Sequence, residues 1–362
     1  MRSTIRHSVA AVLGTALALA AQAASVDYKI VTASERGTYI QIGRDLARFV
    51  APQADIALEA LPSAGSAENV QRLRSEPGVK LALVQSDVYQ AFLDRAAAGN
   101  PQAAETIKPL RVVMPLYNEE IYFITRADSP LQNVHEIKDA RINVGPLLSG
   151  TALSATTLYK QMFGKPLPDG QASYLSNEDA LVKLTVDKSI DVVVAVAGQP
   201  AKLLVDMKPE ARQLIRLLKF DAANPASKAA LQTYFPSVVK ASNYPNLLPE
   251  DIPGVAVKAF LVTFNYGQSD TTAHLSRFAR ALCQNFPTLQ AEGHPKWKEV
   301  NLALPPLGKG WSYYAPMVRE FNSCVSEHAR AGRVIQPVVN PNTKPNAPQC
   351  PQQERILGLC KS

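Results

Sequence analysis

Apolar positions along this chain change period in a regular way. Residues 28–33, 56–60 and 80–84 are short, mostly apolar stretches of strand length, each followed by small polar residues and then by apolar positions three and four apart. After the first run, Gly37-Thr38-Tyr39 opens a helix whose apolar face holds Tyr39, Ile42, Leu46, Phe49 and Val50. After the second, Pro62-Ser63-Ala64-Gly65-Ser66 leads into a helix through Asn69, Val70 and Leu73. The third ends at Gln85-Ser86-Asp87, where Ser86 or Asp87 is placed to cap the following helix. Three strand-loop-helix units in succession predict an α/β sheet covered by helices on both faces.

A fourth strand is predicted at 110–114, running into Pro115-Leu116-Tyr117-Asn118, where the chain would first cross to a second lobe. Alternation resumes at Ile121, with a strand at 190–196 and with Gly198-Gln199-Pro200 opening another helix. Residues 221–253 are rich in Pro, Asn and Ser and predict no definite element. The apolar run 255–264 reads as the strand that returns the chain to the first lobe. Helices at 271–286 and 314–328 follow, the first with Leu275, Phe278, Ala279, Leu282 and Phe286 on one face. The domain reading is a leader at 1–23, a first lobe from 24–116 and 255–333, a second lobe at 117–254, and a Pro- and Asn-rich tail at 334–362.

In an open α/β sheet, ligands bind beyond the carboxyl ends of the strands, which is where the small polar turns fall. The segment Asn143 to Thr151, NVGPLLSGT, is the most suggestive of these turns. The first N–H groups of a helix lack partners within it and lie at the positive end of its dipole, so a carboxylate or phosphate can take them. Ser149 and Thr151 add hydroxyls and Gly150 allows close approach, although Ser149 at this position is equally suited to capping the helix. Asp87 likewise either caps its helix or meets the solute, whereas Asn69, one turn after Ser66, is expected to face the cleft.

Residues 1–23 carry Arg2, Arg6 and His7, an apolar run at 9–20 and Ala21-Gln22-Ala23, the features of an export leader. Its cleavage would lower the formal charge from +7 to about +5, an excess without Lys/Arg blocks, and nucleic-acid binding is not expected. Cys283, Cys324, Cys350 and Cys360 all lie in the last third. In an oxidising compartment they are expected to pair, preferably Cys283 with Cys324 and Cys350 with Cys360. No metal or other cofactor is expected, because no CxxC pair or nearby histidine accompanies them.

GTY at 37–39, PSAGSAEN at 62–69, ALVQSD at 82–87, NVGPLLSGT at 143–151, IDVVVAVAGQP at 190–200 and HPKWKEV at 294–300 follow one another in order. The set resembles the TAXI family of solute-binding proteins, the extracytoplasmic receptors of one class of tripartite ATP-independent periplasmic (TRAP) transporters. The resemblance implies a two-lobed, type II periplasmic-binding-protein-like fold with the ligand cleft between the lobes. It implies a small carboxylate ligand such as glutamate, a related amino acid or 2-oxoglutarate, a membrane-embedded TRAP permease as partner, a periplasmic location and a monomer. Thr38, Tyr39, Ser66, Asn69, Gln85 and Asp87 would line the first lobe's side, and Ser149, Gly150, Thr151 and Gln199 the second.

Closure of the two lobes on the solute is the expected mechanism, with Tyr117 and Tyr174 as possible walls and Arg36 as a possible extra anion partner. A signalling adaptor would use the same clamshell, and these residues do not separate it from a transport receptor. An enzyme is not expected: the chain has no GxSxG elbow or HExxH pair, and its histidines are scattered.

Overall fold

The computed structural model describes residues 25–330 apart from Arg36, Ala303 and Lys309. The leader, Arg36, and the tail with Cys350 and Cys360 lie outside the described residues. The strands are β1 (Val26–Val31), β2 (Ile56–Leu61), β3 (Val79–Gln85), β4 (Leu110–Arg126), β5 (Ile142–Asn143), β6 (Ala172–Ser173), β7 (Val192–Ala197), β8 (Ile215–Leu217), β9 (Phe235–Val239) and β10 (Ile252–Phe264). The helices are α1 (Thr38–Phe49), α2 (Ser66–Ser75), α3 (Val88–Ala97), α4 (Pro101–Ile107), α5 (Gly150–Phe163), α6 (Asn177–Thr185), α7 (Lys202–Val205), α8 (Pro209–Arg212), α9 (Pro225–Ala230), α10 (Ser269–Gln284), α11 (Phe286–Glu292) and α12 (Ala315–Arg330). Among the described residues, none of these helices is long and apolar enough to cross a membrane.

The strands join in the order β2-β1-β3-β10-β4-β7-β5-β6, with β8 added to β4 and β9 to β10. At one end β1 runs parallel to β2 and β3, and at the other β5 runs parallel to β6 and β7. Between these parallel ends lie β4 and β10, antiparallel to each other and to their outer neighbours β7 and β3. β4 has 17 residues, about 55 Å of extended chain, and with the 13 residues of β10 it runs through both halves of the molecule. Pro115 was expected to end the fourth strand but lies inside it. It pairs with Phe260 beside an irregularity in the β4–β10 register, where a residue without an N–H is tolerated.

Four apolar clusters give each half a core on both sheet faces. On β4, residues up to Tyr117 pack into the first half's clusters and residues from Ile121 onward into the second's. On β10 the change falls between Val257 and Ala259. The intervening Asn118, Glu119 and Glu120 are polar, as is Lys258, which sits opposite Asn118 in the ladder. The sheet is thus continuous while its hydrophobic core is not, which is a two-lobed α/β architecture.

α10 and α12 close the outer face of the first lobe, where Leu275, Phe278, Leu282, Met317 and Phe321 are buried together. Burial of each such side chain contributes about 1.5–3 kcal/mol. The Cys283–Cys324 disulfide, with Cα atoms 6.4 Å apart, fastens the two helices as expected. Residues 221–253, for which no element was predicted, form α9, β9 and the turn Ala241–Asn243.

Candidate functional site

β1, β2 and β3 each lead from their carboxyl ends into a helix, and β5 does the same in the second lobe. From the first lobe come the starts of α1, α2 and α3; from the second comes the start of α5. Gly65 has φ +133°, and a Cβ on it would meet the Gly150 nitrogen at 2.7 Å. The turn before α2 therefore touches the first residue of α5 across the cleft, an approach open only to glycine.

Ser66 and Gln85 form a fixed pair on the first-lobe rim. The Ser66 hydroxyl accepts from the Gln85 backbone N–H at 3.0 Å and donates to Gln85 Oε1 at 3.1 Å. The carboxamide so held lies over Gly150, whose added Cβ would fall 2.0 Å from Oε1. On the opposite rim Ser149 caps α5, accepting from the Ala152 N–H at 3.0 Å. The N–H groups of Gly150 and Thr151 have no protein acceptor among the described residues. The rim thus offers two free amides and the Thr151 hydroxyl, next to the fixed carboxamide of Gln85.

Asp87 occupies the position before α3, but its side chain does not cap that helix. Its Oδ2 instead accepts from two second-lobe hydroxyls, Ser154 of α5 at 2.6 Å and Tyr234 at 2.8 Å. Oδ1 is buried without a partner among the described residues. Burial pushes this carboxyl up to about 6, with the Ser154 and Tyr234 hydrogen bonds acting in the opposite direction. Asp87 therefore latches the lobes together. The nearby Asp94–Lys160 ion pair at 2.9 Å and Leu153 of α5, which enters a first-lobe apolar cluster, join the same two elements.

The break between the lobe cores holds a second group of charges. Glu119 and Glu120 are only 5% and 6% exposed. Tyr39 donates its hydroxyl to Glu119 Oε2 at 2.7 Å. Burial pushes the Glu119 carboxyl up to about 7, opposed by the Tyr39 hydrogen bond and by Lys296, while Glu120 and Asp87 add to the rise. Burial likewise raises Glu120. Lys296 is almost fully buried, and its ammonium binds both oxygens of Glu299 at 2.7 and 2.8 Å. Its stem crosses to the second lobe, where a Cβ on Gly198 would meet Cε at 2.5 Å. Lys296 is set by its neighbour: Trp297 is fully buried and donates Nε1 to Asp45 of α1 at 2.8 Å, and Asp45 also takes the His294 N–H at 2.7 Å.

The expected site residues divide by what their polar atoms already hold. Ser66, Gln85, Ser149, Gly150 and Thr151 come together as described, with Tyr39 at the Glu119 end and Thr38 at the start of α1. Asn69 is fully buried, and its amide is taken up by the carbonyls of Thr32 and Leu83 and by the Ser63 hydroxyl. It fastens α2 to the sheet and has nothing left to offer a solute. Gln199 donates to the Val238 carbonyl at 2.9 Å and accepts from the Lys240 N–H at 2.8 Å, so it anchors the β9 segment. Tyr117 is buried at the break, whereas Tyr174 is 42% exposed.

Glu119, Glu120, Lys296, Ser154 and Tyr234 were not singled out from the sequence. The signal for the first two was Asn118-Glu119-Glu120 inside an otherwise apolar strand, because carboxylates in a buried strand need partners. Lys296 lay within the HPKWKEV motif, where charge and tryptophan alternate.

Residues 30–304 match the NMT1-like family. The chain belongs to that family. Among solved structures it is similar to XAC2383 from Xanthomonas citri bound to chloride ion, with 13% identity over 84% of this chain and 99% of that one and a TM-score of 0.45. It is also similar to a putative periplasmic sulfonate-binding protein, SsuA, from Methylobacillus flagellatus KT (11% identity, 85% and 88% of the chains, TM-score 0.44). A third is ArtJ, the arginine-, lysine-, histidine-binding protein of Geobacillus stearothermophilus (12% identity, 78% and 97%, TM-score 0.44).

Proposed function

We propose that this NMT1-like protein is an extracytoplasmic solute-binding receptor that captures a small carboxylate by lobe closure and delivers it to a membrane-embedded permease of the TRAP type. One observation carries the reading: two helix starts from opposite lobes meet at Gly65 and Gly150, where the Gln85 carboxamide held by Ser66 lies over Gly150 and the Gly150 and Thr151 amides have no acceptor among the described residues. An anion seated there would touch both lobes, and a ligand with contacts to both stabilises the closed form by its differential affinity. Thr38, Tyr39, Ser66, Gln85, Gly150 and Thr151 are the groups we assign to the solute, with Ser149 holding the α5 start in place. The leader-like features of residues 1–23 support a periplasmic location, and the order of motifs from GTY to HPKWKEV supports the TAXI class of such receptors.

A thermal-shift screen of the purified exported form against amino acids, 2-oxoacids and dicarboxylates tests this. A solute at ~100 times its dissociation constant should stabilise by ~2.7 kcal/mol. Gly150→Ala, whose Cβ would displace the Gln85 carboxamide, should abolish the response. A response that persists in Gly150→Ala would remove the assigned seat, and silence across the panel would remove the receptor reading.

A further inference from the structure

We infer that the solute carries a protonated amine and that the Glu119 carboxylate is its counter-ion, so that the cleft selects amino acids over the matching 2-oxoacids. This rests on the solute-receptor reading above and adds the chemistry of the solute's other end. Tyr117 and Glu119, two apart on β4, project from the same face of the strand at the break between the lobe cores. Glu119 takes the Tyr39 hydroxyl on Oε2, and its Oε1 has no protein partner among the described residues. The Tyr117 hydroxyl is also without a partner there, in a residue only 1% exposed and in the electrostatic field of Glu119 and Glu299.

Asp87 Oδ1, also buried without a partner among the described residues, is an acceptor as well, and Asp87 is close enough to act on Glu119. A primary ammonium brings three N–H donors and no acceptor, so it complements this set. The oxygen of a 2-oxoacid brings only acceptors and would face carboxylates. The charges of this region agree. Asp87, Glu119, Glu120 and Glu299 stand against two ammonium groups, Lys296 and Lys258. Of these, Lys296 is engaged by Glu299 and acts on Glu119 at longer range. The Lys296 ammonium lies 5.6 Å from the centre of the Tyr117 ring, so this aromatic face already favours a cation.

The test is isothermal titration at pH 8 with matched probes: alanine and pyruvate, leucine and 4-methyl-2-oxopentanoate, glutamate and 2-oxoglutarate. The expected result is that the amino member of the responding pair binds at least about tenfold tighter, the scale of one hydrogen bond to a charged group. Glu119→Gln should erase that gap through weaker binding of the amino member. Glu119→Asp, which keeps the charge and shortens the arm, should retain the preference at lower affinity. The unliganded melting transition of each variant reports its folding. Equal or tighter binding of the oxoacid, or a gap that survives Glu119→Gln, overturns the inference while leaving the receptor reading intact. Silence of every probe overturns both.

Discussion

Replacing Asp87 with asparagine should stabilise this protein at neutral pH, although it removes one member of a hydrogen-bonded trio. The carboxylate is fully buried, its Oδ1 has no partner among the described residues, and both of its donors, Ser154 and Tyr234, bond to Oδ2. An asparagine of the same shape keeps one oxygen for those hydroxyls and sheds the charge. The ordinary carboxyl value is 3.8, and in the folded protein Asp87 stands at about 6. The folded state therefore holds this proton more tightly than the unfolded state does. The stability contributed by the proton is complete below the unfolded value and is lost as pH rises through the window from 3.8 to about 6.

Each unit of separation is worth about 1.4 kcal/mol, so the ionised carboxylate costs roughly 3 kcal/mol at pH 7.5, about half that at pH 5 and almost nothing at pH 3.5. Urea unfolding of wild type and Asp87→Asn at these three values measures the difference. The variant should gain roughly 3 kcal/mol at pH 7.5, and the gain should shrink toward zero in acid. A variant less stable than wild type at pH 7.5, or a gain independent of pH, would show that the Asp87 charge is fully compensated and would refute the argument.

Tyr234→Phe removes one hydroxyl from the same carboxylate, and a hydrogen bond to a charged group is worth about 1.5–3 kcal/mol. Because this bond joins the lobes, solute affinity should fall by about 10- to 150-fold; Tyr159→Phe, which loses a bond to the Lys138 carbonyl within the second lobe, should leave titrations unchanged. Ser149→Ala should lower the unliganded stability by about 1 kcal/mol in urea unfolding, since the hydroxyl caps α5. Replacing both Cys283 and Cys324 with alanine releases a link between residues 41 apart and should cost about 4 kcal/mol, read as a lower melting temperature that reducing agent no longer shifts.

The strand-loop-helix units of the first lobe were readable because each strand is mostly apolar and each turn carries Gly, Ser or Thr. β1, β2 and β3 appear within two residues of the expected ends. The long β4 was divided in two by Pro115, because a local reading cannot see that β10 is irregular opposite it. Among the site residues, a turn position was legible but the direction of its side chain was not. Asn69 and Ser66 share one turn of α2, yet the first is absorbed by the carbonyls of Thr32 and Leu83 while the second reaches Gln85. Gln199 follows a strand end, as a ligand group should, and is drawn away by the β9 segment, for which no strand was predicted.

The contacts that hold the lobes together share a chemistry that suits them to opening. Asp87 with Ser154 and Tyr234, Asp94 with Lys160, and the Ser66–Gln85 pair against Gly150 are polar. When such a contact opens, water replaces each lost partner, so the net cost is small compared with separating apolar surfaces of equal area. Apart from Leu153 of α5, which enters a first-lobe cluster, the four apolar clusters remain with their own lobes, and the strands that pass between them are polar where the clusters end. The same arrangement places ionisable groups where closure buries them. Asp87 and Glu119 each resist ionisation inside the closed cleft and would lose that resistance in water. Closure without an amine should therefore be favoured by acid, whereas an ammonium at Glu119 would supply the missing counter-charge and favour closure at neutral pH. Selectivity and lobe movement would then depend on the same buried carboxylates, which explains why these charges interrupt an otherwise apolar strand.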